Sequence, residues 1–270
     1  MTGKCTFIFI SDSRGRGLDD YIDRYPLPPY LKPVFNVLPG TPIDKLKPVL
    51  ENATANCDSY YCVIMAGICG LTERSWVDDQ LHLNYPEDSR TQKVSNIVST
   101  ISELKLTHGN KLNICTIIPA SLQAHFQHHN RIYDPPSDLE AQQQALENDV
   151  VQINNEIVRL NDGQITNINL SRRCLLKTKK KRQRSGSKIV YRQLARFSYN
   201  SLPDGVHFST DLKETCFRLI REAVIRDTSA ELGSHRLQPW PVCPSQSNTS
   251  DTEEESDKDS DWDFRRKPTS

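Results

Sequence analysis

Short apolar runs and longer stretches with helical spacing alternate along the first 226 residues. Residues 5–10 form a continuous apolar run, as expected of a strand buried on both faces. Residues 34–37, 60–66, 112–118 and 165–170 predict four more strands. Between them, Val94, Ile97, Val98, Ile101 and Leu104 recur at three and four, which predicts a helix over 91–106. Leu139, Leu146, Val150, Ile153, Ile157 and Leu160 form a stripe over 137–160, with Asp138 as a candidate cap. Shorter helices are expected to start at 14–23 and to run over 42–50. A closing helix over 211–226 places Leu212, Cys216, Leu219, Ile220 and Val224 on one side. Strand–helix alternation of this kind predicts a mostly parallel, five-stranded, doubly wound sheet in a three-layer α/β domain. Ligands of such sheets bind beyond the carboxyl ends of the strands.

The pattern stops at about residue 226. Residues 227–270 are rich in Ser, Pro and acids and lack periodicity, which predicts a disordered acidic tail after a domain spanning 1–226. This division explains the hydrophobic fraction of 36%, low for a chain folded end to end. It also gives meaning to a net charge of zero. The tail carries about −5 and the body about +5 by count of its charged residues. Much of the positive excess lies between Arg172 and Arg184, within a segment (171–190) expected to be an exposed basic loop. A uniformly basic nucleic-acid binder is thereby excluded. No apolar run reaches the roughly 20 residues of a membrane span, and residues 6–10 are too few for a signal-peptide core. Eight cysteines, with Cys62, Cys69 and Cys115 in apolar runs, suggest reduced thiols. A cytoplasmic or nuclear location is the expectation.

Three segments at predicted strand ends carry candidate chemistry. Ser11-Asp12-Ser13 follows the first strand, Gly67-Ile68-Cys69-Gly70 follows the third, and Asp204-Gly205-Val206-His207 precedes the last helix. Gly40 follows the second strand. In this order and placement the blocks resemble those of the SGNH, or GDSL-type, hydrolases over most of residues 5–226. The resemblance implies a flavodoxin-like SGNH hydrolase fold and acyl transfer without metal or organic cofactor. Ser13 would be the nucleophile and His207 the general base. Asp204, three residues before it, would orient the imidazole. The oxyanion would be held by the backbone amides of Ser13 and Gly40 and by residue 69. Two departures stand out. Ser11 occupies the place of the family's opening Gly, and Cys69 that of its Asn, so a weak thiol donor replaces an amide. Each block also has a structural reading, Ser13 as a loop or cap residue and His207 as a satisfied histidine.

Two functions from different classes follow. One is a serine hydrolase acting on a small ester or acetylated substrate. The other is a non-catalytic interaction module of the same fold, contacting nucleic acid or a protein partner through Lys179, Lys180, Lys181 and Arg182. Esterase-like domains of this kind also occur in mobile-element-derived proteins. The basic run equally suits a localisation signal or a solvated loop. His125, His128 and His129 suggest a start to a metal site, but without a further ligand at suitable spacing an exposed polar loop is the better expectation. Trp76, Tyr85 and Pro86 suit either a lid over the site or a surface loop. Substrate identity and oligomeric state are open in the sequence.

Overall fold

The computed structural model describes residues 5–171, 176–185 and 188–231, and for 176–196 it describes the backbone alone. A four-stranded parallel sheet forms the centre. Its strands are β1 (Cys5–Ser11), β2 (Leu31–Val37), β3 (Tyr60–Met65) and β6 (Leu112–Ile114), in the spatial order β2-β1-β3-β6. The register is regular, with Phe9 opposite Phe35 on one side and opposite Val63 on the other.

Alternate side chains of these strands feed two cores. Ile8, Ile10, Cys62, Ile64 and Ile114 pack beneath α1 (Lys47–Thr54), α3 (Arg90–His108) and α5 (Leu139–Leu160), meeting Leu50, Ile101 and Val150. Phe7, Phe9, Tyr61, Val63 and Met65 face the opposite way. They pack against Leu212, Cys216, Phe217, Ile220 and Val224 of α6 (Thr210–Glu231). A sheet buried on both faces needs apolar residues at successive positions, which is why β1 and β3 read as unbroken runs.

Several expectations are corrected. The segment 14–23 forms two 3-10 turns, Ser13–Gly15 and Asp19–Tyr21, because Gly15 and Gly17 interrupt helical continuity. Among the described residues the sheet has four strands rather than five. Residues 165–170 run beside β6 but share one backbone bond with that chain segment, Thr116 N–H to Ile168 C=O at 3.2 Å. Amide side chains replace the ladder there. Asn113 donates to the Thr166 carbonyl (2.7 Å), and Asn161 to that of Ile114 (2.8 Å).

The basic segment expected as a loop is an antiparallel hairpin, β7 (Leu176–Ser185) with β8 (Lys188–Phe197). Polar β7 finds its backbone partners in the β-prone Ile189-Val190-Tyr191 stretch of β8. The closing helix continues to Glu231, so residues 227–231 belong to it. The remaining tail, 232–270, lies outside the described residues. The six described cysteines are reduced thiols. No helix among the described residues is long and apolar enough to cross a membrane.

Candidate active site

Strand order fixes where a site can lie. β1 connects to β2 on one side, and the chain then crosses back to place β3 on the other side of β1. The crevice beyond the carboxyl ends of β1 and β3 is therefore the topological switch point of the sheet. Ser11 at the end of β1 donates its hydroxyl to the Met65 carbonyl at the end of β3 (2.7 Å), which ties the two strand ends together.

Asp12 then caps the turn Ser13–Gly15, its Oδ1 accepting the Arg14 N–H at 3.0 Å. Ser13 sits half-buried at the start of that turn. Beside it, the Leu38 N–H donates to the Ser11 carbonyl (2.8 Å), and Thr41 N–H closes a turn onto Leu38 C=O (3.2 Å). Pro39 and Gly40 occupy the central positions of that turn. Gly40 has φ of 71°, the left-handed value that the third position of a type II turn requires. This turn brings Gly40 to the cleft that Ser13 lines. Neither the Ser13 nor the Gly40 amide donates to another group among the described residues.

The histidine arrives on a turn shaped by its own aspartate. Asp204 Oδ1 accepts the backbone N–H groups of Val206 (3.0 Å) and His207 (2.7 Å), while Oδ2 meets His207 Nδ1 at 2.5 Å. Gly205 makes this turn possible. Its φ is 78°, and a Cβ there would stand 2.4 Å from the Ser121 carbonyl oxygen and 2.5 Å from the His125 nitrogen. The Gly205 carbonyl accepts the Ser121 N–H (2.8 Å), which seats the turn on the start of α4 (Leu122–His129). Burial alone would raise the Asp204 carboxyl. The hydrogen bonds from His207 and Val206 outweigh it and hold the group well below the ordinary carboxylate value. Asp204 is thus an anion, suited to keep Nδ1 protonated and to leave Nε2 as the basic nitrogen.

Ser13, Gly40, Cys69 and His207 line one open cleft of about 440 Å³, together with Arg16, Thr72 and Arg74. No hydrogen bond joins Ser13 to His207 among the described residues; in unliganded hydrolases that bond often tightens only with substrate. Cys69 lies in the short helix α2 (Ile68–Leu71). Its thiol is pushed up to about 11, chiefly by burial and then by the Asp12 charge. The S–H reaches Asp12 Oδ2 at 3.8 Å, so its donor is turned toward that carboxylate.

Arg14 is a residue the sequence reading passed over. Its Nε donates to the Val206 carbonyl (3.0 Å), another nitrogen to that of Ile118, and its guanidinium lies 5.3 Å over the Phe208 ring. One side chain therefore links the Ser13 turn to the residues on either side of His207. Its position immediately after Ser13 was the available signal. Burial lowers its proton affinity, opposed by Asp12; burial raises Asp12, opposed by Arg14.

The other candidates fall elsewhere. His125, His128 and His129 lie on helix α4, not on a loop, and no metal-binding cluster forms among the described residues. His128 and His129 are exposed, whereas His125 is buried with both ring nitrogens unpartnered. It is held down to about 4, first by burial and then by His129 and Arg74. Trp76 is exposed on β4 (Glu73–Val77), which pairs with β5 (Gln80–Asn84). Tyr85 is not part of a lid: it is buried and donates to Asp149 on α5 (2.6 Å). The side chains of Lys179, Lys180, Lys181 and Arg182 lie outside what the structure describes.

Comparisons with protein-family models and with curated proteins find no match. Among solved structures the chain is similar to a lipase/acylhydrolase from Enterococcus faecalis, at 14% identity and a TM-score of 0.48, covering 82% of this chain and 95% of that one. It is similar to a GDSL-like lipase from Bacteroides thetaiotaomicron at 16% identity and a TM-score of 0.49, covering 82% and 88%. The acetylxylan esterase Axe2 from Geobacillus stearothermophilus gives 13% identity and a TM-score of 0.44, covering 87% and 97%.

Proposed function

We propose that the chain is a serine hydrolase of the SGNH type that cleaves an ester or O-acetyl group. The observation that supports this most is the 2.5 Å contact between Asp204 Oδ2 and His207 Nδ1, on the cleft that Ser13 also lines. In this reading Ser13 Oγ attacks the carbonyl carbon as His207 Nε2 takes its proton. The tetrahedral oxyanion accepts hydrogen bonds from the Ser13 and Gly40 amides. Its collapse breaks the ester C–O bond, and the His207 proton goes to the departing alcohol. Water, deprotonated by the same nitrogen, then releases the acid and regenerates Ser13. Asp204 stabilises the imidazolium in both halves. Cys69 adds little to the oxyanion site, since a thiol is a weak donor and this one is engaged by Asp12.

Labelling with a fluorophosphonate probe tests the reading. The native protein should be labelled and Ser13→Ala should not. Equal labelling of both, or none of the native protein, overturns it.

A further inference from the structure

The cleft is charged in one sense. Arg16 and Arg74 line it beside Ser13 and His207, and no acidic side chain lines it. Both arginines are exposed, and neither guanidinium makes an ion pair or a hydrogen bond among the described residues. They come from separate elements. Arg16 follows the nucleophile turn, and Arg74 stands on β4. Of the nearby acids, Asp204 is bonded to His207, Glu73 to Lys93 (2.7 Å), and Asp12 to Arg14 N–H and Cys69, while Asp20, beside Gly17, is exposed and makes no ion pair with Arg16 among the described residues.

We infer that the cleft selects esters whose acyl or alcohol part carries an anionic group, carboxylate or phosphate, held between Arg16 and Arg74. This rests on the hydrolase reading and specifies its substrate class. A neutral ester offers the two cations only uncharged acceptors, which bind a guanidinium more weakly than an anion does. An anion returns charge-assisted hydrogen bonds, and the planar guanidinium suits the two oxygens of a carboxylate or phosphate. Because both arginines are open to solvent, the preference is salt-dependent. The cleft volume fits a small molecule.

The test compares 4-acetoxybenzoate with its neutral isostere 4-acetoxybenzamide, reading phenol release by the native protein. The expected result is a kcat/KM at least about 10-fold higher for the carboxylate, through KM, shrinking as salt rises. The double variant Arg16→Gln/Arg74→Gln should bring the ratio of the two kcat/KM values to near one. Equal hydrolysis of both esters by the native protein, or a preference that survives in the double variant, overturns the inference and leaves the hydrolase standing. Binding of the two compounds to Ser13→Ala, followed by calorimetry, reads the charge preference apart from turnover. Tighter binding of the carboxylate there supports the anion site even if the native protein hydrolyses neither ester, and the fluorophosphonate labelling decides the hydrolase reading separately. Equal binding of the two overturns it.

Discussion

Two buried polar clusters lie at opposite ends of the same strands. At the carboxyl end are buried Asp12 and Arg14 with half-buried Cys69, beside the cleft of Ser13 and His207. At the amino end, Asp227 of α6 accepts the Tyr61 hydroxyl, and Asn113 donates to that same phenol oxygen at 3.3 Å. Asn161 in turn donates to Asn113 (3.4 Å). Each cluster holds an aspartate that burial has raised, with neighbouring hydrogen bonds working against the shift. Perturbed acids alone therefore do not distinguish a site from a brace. The difference lies in what stands next to them. At the carboxyl end the Ser13 hydroxyl, a paired imidazole and two backbone amides that find no acceptor among the described residues share an open cleft. At the amino end the phenol, the amides and the carboxylate bond across α6, β3, β6 and residues 161–166, which joins the closing helix to the sheet.

Substitutions should separate the two clusters. The largest effect is expected on turnover from Ser13→Ala or Asp204→Asn, a loss of roughly 10⁴-fold, with little change in Tm for Ser13→Ala and a lower Tm for Asp204→Asn, whose charge the turn stabilises. Next is acid. The unfolded chain protonates residue 125 near its ordinary 6.5, whereas the folded protein holds it down to about 4. Stability is then lost as pH falls through that window, by at most about 1.4 kcal/mol per pH unit, and is fully present above it. His125 lies under Gly205, so hydrogen exchange should show the Asp204–His207 turn opening before the amino-end network. His125→Leu should flatten the slope. Tyr61→Phe should cost about 1–3 kcal/mol, because it strands the buried Asp227 carboxylate; denaturant unfolding reads this, while turnover per folded molecule stays constant. The smallest effect is expected of Cys69→Asn, about a tenfold rise in turnover as an amide donor replaces a thiol. A fall in rate would mean that the Cys69–Asp12 contact matters more than the donor it withholds.

The sequence made the sheet and its functional ends legible because continuous apolar runs and strand-end blocks are local signals. Residues 5–10 and 60–66 contain most of β1 and all of β3, and Ser13, Asp204 and His207 stand in short blocks whose order and strand-end placement carry the resemblance to SGNH hydrolases. What it concealed depends on contacts between distant residues. Residues 165–170 have the composition of a strand, yet the amides of Asn113 and Asn161 bond their own stretch of chain and its neighbour in place of a ladder. The β4–β5 hairpin turns on Asp78 and Asp79, both at positive φ (46° and 62°), a turn usually signalled by Asn-Gly or Asp-Gly. Helix α4 was obscured by its histidines, although Ser121 caps it and Leu122, His125 and Phe126 follow helical spacing. Arg16 and Arg74 could not be paired in advance, since 58 residues separate them and only the fold places both on one cleft.

The link from Arg14 to the Val206 carbonyl spans 192 residues. During synthesis the turn that carries Ser13 and Arg14 is made well before the carbonyls that Arg14 binds, those of Ile118 and Val206. The turn must therefore wait, with its acid and its guanidinium still hydrated, until the rest of the sheet has been made. Contacts of such long sequence separation slow folding, because loop closure precedes any gain from them. Chains truncated before residue 206 would lack both the Val206 acceptor of Arg14 and α6, which covers one face of the sheet.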